Sequence, residues 1–137
     1  MHLFTLIVFC TVFVCSYADE AADKTLQKLF SELDGEQAKM RDDCLKQNSA
    51  QITDLIRPET YDKLPEKELC FFKCFYGKLG FIGESGKING DKLQLLPELI
   101  GLEATKLETL RACVVKLDDI LTCSDLKNME KCYALIM

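Results

Sequence analysis

The chain has 137 residues, room for one ordinary domain and not for two. Hydrophobic residues make up 48% and charged ones 28%, which excludes a disordered chain and one that spans a membrane throughout. The formal charge of −5, from 22 acidic and 17 basic residues, argues against nucleic acid as a partner, because no net positive field exists to replace phosphate counterions.

Leu3 to Cys15 reads LFTLIVFCTVFVC, thirteen residues without a charge. Ser16-Tyr17-Ala18 follows, with small residues at the −3 and −1 positions of a cleavage after Ala18, and then Asp19-Glu20. This predicts a secretory signal over residues 1–18, too short to span a bilayer comfortably. His2 and the amino terminus are its only positive groups. No second apolar run supports a membrane anchor, so stable membrane insertion is not expected. Cleavage leaves one domain over residues 19–137 and removes no Asp, Glu, Lys or Arg, so the charge stays at −5. It also removes Cys10 and Cys15, leaving Cys44, Cys70, Cys74, Cys113, Cys123 and Cys132. An even number of cysteines in a small secreted chain predicts three disulfides. No N-x-S/T sequon is present, so N-glycosylation is not expected.

Leu26, Leu29, Phe30 and Leu33 follow helical spacing, and Asp34-Gly35 breaks that stripe. A second helix is expected over 36–48 with Met40, Cys44 and Leu45 inward, then a short piece capped by Ser49 that carries Ile52, Leu55 and Ile56 and ends at Pro58. Pro65 suits a first helical position, and Glu66 and Glu68 suit a helix N-terminus. From Leu69 to Leu79 the sequence LCFFKCFYGKL is apolar nearly all round, which predicts the central, buried helix. Gly80, Gly83, Gly86 and Gly90 then break the chain into turns, Gly86 and Gly90 supplying positive φ. Asp91 is expected to cap a helix carrying Leu93, Leu96, Leu99 and Ile100, distorted at Pro97 and closed by Gly101. The longest helix is expected over 103–121, with Leu107, Leu110, Val114, Leu117 and Leu121 as its seam. Ser124 is expected to cap the last helix, where Leu126, Met129, Tyr133 and Ile136 recur. No segment shows sustained period-two alternation. The fold class expected is all-α, with six or seven helices.

The only histidine, His2, leaves with the signal, and the chain has no Trp. Without His there is no Ser–His–Asp triad, no Cys–His nucleophile and no His-ligated zinc. An all-thiolate zinc site would need reduced cysteines, against an oxidising secretory route. The pairs Asp42-Asp43 and Asp118-Asp119 sit on charged faces, and adjacent helical side chains point roughly 100° apart, so they read as solvated surface rather than acid–base machinery. Glu84 to Asp91 lacks the alternating acidic ligands of a calcium loop and reads as a tight turn. No enzymatic activity, no metal and no cofactor is expected.

The mature cysteine pattern is Cys44-x25-Cys70-x3-Cys74-x38-Cys113-x9-Cys123-x8-Cys132. Cys70 and Cys74 lie one turn apart on the central helix, so their side chains leave from one face and suit stapling that helix to two others. Six cysteines allow 15 pairings, and spacing does not choose among them. The whole set of gaps, with the signal and the all-helical reading, resembles the six-cysteine insect odorant-binding proteins, the pheromone- and general-odorant-binding family. The resemblance covers the whole mature chain and implies the pairing Cys44–Cys74, Cys70–Cys123 and Cys113–Cys132. It implies a compact helical shell around an apolar cavity that holds small hydrophobic ligands in an extracellular fluid such as sensillum lymph. An olfactory receptor and a second copy of the chain stay open as further partners. Saposin-like chains also carry six cysteines but in paired C-x2-C spacing, which is absent here. A phospholipase A2-type lipase needs a catalytic His. A secreted venom, salivary or membrane-interacting helical protein on a similar scaffold stays open as the alternative.

The expected cavity wall is Phe30, Leu33, Phe72, Phe75, Tyr76, Leu93, Leu96, Leu110, Val114, Leu117, Tyr133 and Ile136, with Tyr76, Thr109 and Tyr133 as polar candidates. Some moth members of the family use histidines and a long C-terminal segment as a pH switch. Here the mature chain has no His and only Tyr133 to Met137 follows Cys132, so release of that type is excluded. The apolar tail YALIM is compatible with the pocket lid of other members. Any acid release must then come from carboxylates, which normally titrate near about pH 4 unless burial raises one.

Overall fold

The computed structural model describes residues 26–55 and 63–136; the expected signal over 1–18, Ile56, Pro58 and Met137 lie outside them. Among the described residues the architecture is all-α, with one isolated antiparallel bridge between Ile82 and Ile88 and no strand. Helix α1 covers 26–31 and α2 Gly35–Gln47. Helix α3 covers Glu66–Leu79, α4 Ala104–Val114 and α5 Glu130–Tyr133. Short 3₁₀ pieces fill the gaps at Ile52–Asp54, Gly90–Leu95, Pro97–Leu99 and Cys123–Met129.

Helix α3 is the central element. Leu69, Phe71, Phe72, Phe75, Tyr76 and Leu79 are all buried, whereas Gly77 and Lys78 reach solvent. Glu66 and Glu68 occupy its first turn and Lys78 its last, the arrangement the helix dipole favours. Pro65 sits at the N-cap, one residue before the expected position. Phe71 and Phe75 lie four residues apart and so share a column, as do Phe72 and Tyr76; Phe30 from α1 meets Phe71, Phe72 and Phe75 edge-on at 5.9, 6.0 and 5.3 Å between ring centres.

Three disulfides fasten this core. Cys44–Cys74 joins α2 to α3, Cys70–Cys123 joins α3 to the start of the last helical segment, and Cys113–Cys132 joins α4 to α5. The Cα–Cα distances of 5.7, 4.8 and 5.6 Å are those disulfides require. The pairing is the one the family resemblance implies.

Several expected local features are corrected. Ser49 is not a cap: it sits in a turn at φ 53°, and Gln51 precedes the 3₁₀ piece with its N–H donating to Asp54 Oδ2 at 2.9 Å. Asn89, not Asp91, caps the next segment, its side chain accepting from the Asp91 N–H at 3.1 Å. That segment is two 3₁₀ pieces rather than an α-helix, because Pro97 excludes the α region for Leu96, whose ψ is 123°. Thr122, not Ser124, caps the last segment; the N–H groups of Leu121 and Thr122 both donate to Asp125 Oδ2, at 2.9 and 2.8 Å.

The helix expected over 103–121 stops at Val114, so it is shorter than α2 and α3 and not the longest. The chain beyond it is captured by a tertiary bond, Ile120 N–H to Gly86 O at 2.7 Å, which buries Ile120 and leaves Leu121 two-thirds exposed instead of in the seam. Gly86 has φ +84°, and a Cβ there would come within 2.6 Å of Ile120 O, so only glycine fits both the turn and the approach. Gly90 has no positive φ; its need is space, since a Cβ would meet Val115 Cγ1 at 2.7 Å. Glu84 to Asp91 is therefore a turn, as expected, with one left-handed glycine rather than two.

Candidate functional site

Helix α3 presents its aromatic columns to elements from both ends of the chain, and they meet in one apolar interior. Phe30, Phe72, Phe75, Tyr76, Leu93, Leu96, Leu110, Val114, Tyr133 and Ile136 are all buried there. Leu33 and Leu117 are half-buried and pack against its outside. Thr109 is elsewhere: it is on the exposed face of α4, with its hydroxyl donating to Thr105 O at 2.9 Å, so its polarity is used within its own helix. Thr109 and Leu117 border an open surface groove of about 410 Å³, together with Ala112, Cys113, Lys116, Lys131 and Leu135. The tail packs Tyr133 and Ile136 inward, while Leu135 stays 63% exposed.

The expected cavity wall left out Phe71, Phe81, Leu126 and Met129, all fully buried, and above all Glu98. Glu98 belongs to the 3₁₀ turn Pro97–Leu99, with Leu96, Pro97 and Leu99 buried beside it. The residue as a whole is half-buried, but its carboxylate is shielded from solvent. Tyr76 of α3 donates its hydroxyl to Glu98 Oε1, and Tyr133 of α5 donates to the same oxygen at 3.5 Å. Glu98 Oε2 is buried with no hydrogen-bond partner among the described residues. The signal that could have found it is a lone carboxylate in the apolar run Leu95-Leu96-Pro97-Glu98-Leu99-Ile100.

Burial pushes the Glu98 carboxyl above its ordinary value, and the Tyr76 hydroxyl, its own N–H and the Tyr133 hydroxyl pull it partly back. No Lys or Arg of the described residues acts on it. A raised carboxyl binds its proton more tightly in the folded state, so its contribution to stability is full below its unfolded value, about pH 4.5. That contribution is lost as pH rises through the folded value. Glu98→Gln has no proton to lose, so it should gain stability relative to wild type between about pH 4.5 and 7.5. Urea unfolding of both proteins at the two pH values checks this, and a pH-independent difference would show that folding leaves the titration of Glu98 unchanged.

The described residues contain no cluster of metal-ligating side chains and no helix long and apolar enough to cross a membrane. Asp42, Asp43, Asp118 and Asp119 are all exposed, as a solvated surface requires. Neither a curated protein nor a solved structure gave a match to the chain. A family model does match, over residues 27–135, which takes in all six bridged cysteines, both tyrosines and Glu98. With that span, the disulfide framework and the all-α shell in hand, the chain belongs to the PBP/GOBP family, whose members are binding proteins rather than enzymes.

Proposed function

We propose that the protein is a secreted, non-enzymatic carrier of small hydrophobic molecules such as odorants or pheromones. The mature chain would be residues 19–137, freed of its signal by cleavage after Ala18. The observation that carries this reading is that, in a PBP/GOBP-family chain, the aromatic and aliphatic interior holds the Glu98 carboxyl between two tyrosine hydroxyls, while the other buried carboxylate, Glu68, sits at the first turn of α3 beside Lys67. A packed core gains nothing from a buried carboxylate, whereas a binding site uses a few polar groups inside an apolar lining to orient its ligand. Desolvation supplies the affinity: about 0.8 kcal/mol for each buried methylene gives about 8 kcal/mol for ten, roughly micromolar before ordering costs.

Displacement of an environment-sensitive apolar dye tests this. Alcohols, esters or aldehydes of roughly ten to sixteen carbons should compete at micromolar concentrations, and short polar molecules should not. If no long-chain compound competes, the carrier reading fails.

A further inference from the structure

Glu98 presents two unlike oxygens to the interior. Oε1 receives the hydroxyls of Tyr76 and Tyr133, which come from α3 and α5 and hold the carboxyl from two sides. Oε2 is equally buried and has no partner among the described residues. Pro97 restricts the backbone of the turn that carries the residue, and the two hydroxyls hold its carboxyl. Buried polar groups are normally paired, and an orphan on a pre-positioned carboxyl inside an apolar binding interior marks where a ligand's polar end would sit.

The arrangement also says which chemistry would sit there. Burial is the strongest influence on the Glu98 carboxyl and favours the neutral acid; two tyrosine hydroxyls and its own N–H oppose it, with no Lys or Arg of the described residues to help them. The two tyrosines occupy Oε1 as the acceptor, which leaves Oε2 to carry the proton and act as a donor. Building on the carrier reading above, we propose that Glu98 sets ligand class: Oε2–H donates a hydrogen bond to the oxygen acceptor of a long-chain ester, aldehyde or ketone. Tyr76 and Tyr133 are positioning residues that aim the carboxyl.

Three ligands of equal carbon number separate the cases: methyl undecanoate, dodecane and dodecylamine, each competed against a bound apolar dye. Wild type should prefer the ester over the alkane by roughly tenfold, the worth of one hydrogen bond of about 1.4 kcal/mol. Glu98→Gln keeps an acceptor for the tyrosines and an N–H donor for the ligand, so it should retain the preference. Glu98→Leu should bring the ratio to about one. A wild-type ratio near one, or equal loss in both variants, overturns the inference while leaving the carrier reading intact. Dodecylamine outcompeting the ester also overturns it, since the site would then hold a carboxylate ion. If none of the three displaces the dye, the carrier reading fails and this inference with it. The wild-type ratio needs no variant, so misfolding of Glu98→Leu leaves the test standing.

Discussion

Reduction of the three disulfides should unfold the protein at room temperature in the absence of denaturant. The bridges span 30, 53 and 19 residues. In the chain-entropy treatment each contributes about 3–4 kcal/mol by restricting the unfolded state, about 10 kcal/mol together as an upper estimate. A domain of this size has a net stability of about 5–15 kcal/mol, so losing all three consumes most or all of it. The longest loop, Cys70–Cys123, should matter most: Cys70→Ala with Cys123→Ala should cost about 4 kcal/mol and free the start of the last helical segment from α3. Near-ultraviolet circular dichroism before and after full reduction reads the first effect, and urea midpoints read the second. A reduced protein that keeps its native near-ultraviolet signal would mean that the apolar interior suffices without the staples.

Replacing Phe30 by alanine should cost about 3–5 kcal/mol, the usual loss for a fully buried aromatic. The described part of helix α1, residues 26–31, is held by tertiary contacts. Phe30 makes edge-on contacts to Phe71, Phe72 and Phe75 of α3, beside the buried Leu26. Arg41 of α2 adds hydrogen bonds to the carbonyls of Phe30 and Ser31, at 2.7 and 3.2 Å, which close the C-terminal end of α1. The variant should therefore lose hydrogen-exchange protection over α1 before the rest of the chain. A loss below about 1 kcal/mol in urea unfolding would show that the Phe30 ring borders open space rather than packing against α3.

The central helix was legible because its signals are local and redundant. Apolar residues on nearly every side of 69–79 leave burial as the only outcome, and Pro65, Glu66, Glu68 and Gly80 mark its ends. The disulfide pairing was legible only through resemblance, since spacing leaves every pairing open. Where the reading failed, a nonlocal bond or a single proline outweighed periodicity. Leu117 and Leu121 continue the stripe of α4 perfectly well, yet the hydrogen bond from Ile120 to Gly86 pulls that stretch into an extended path toward Cys123. Caps were misplaced by two residues at 49, 91 and 124, because several polar residues near each helix start compete for a role that only backbone geometry settles.

By itself the amino-acid sequence determined the all-α class, the buried central helix, the set of cysteines available for bridging and the absence of histidine from residues 19–137. These follow from periodicity and composition, which act over one or two turns of chain. Only the tertiary structure decided that Thr109 faces solvent and that Glu98 does not. Glu98 is a single polar residue among apolar neighbours and Thr109 lies between Glu108 and Leu110, and a helical stripe cannot say which way a residue at its edge will turn. Glu98 is buried because Tyr76 and Tyr133, 22 and 35 residues away, converge on it when α3 and α5 close over the turn at Pro97. A hydrogen bond of that range compensates a buried carboxyl only after the chain has folded, so no local pattern records it.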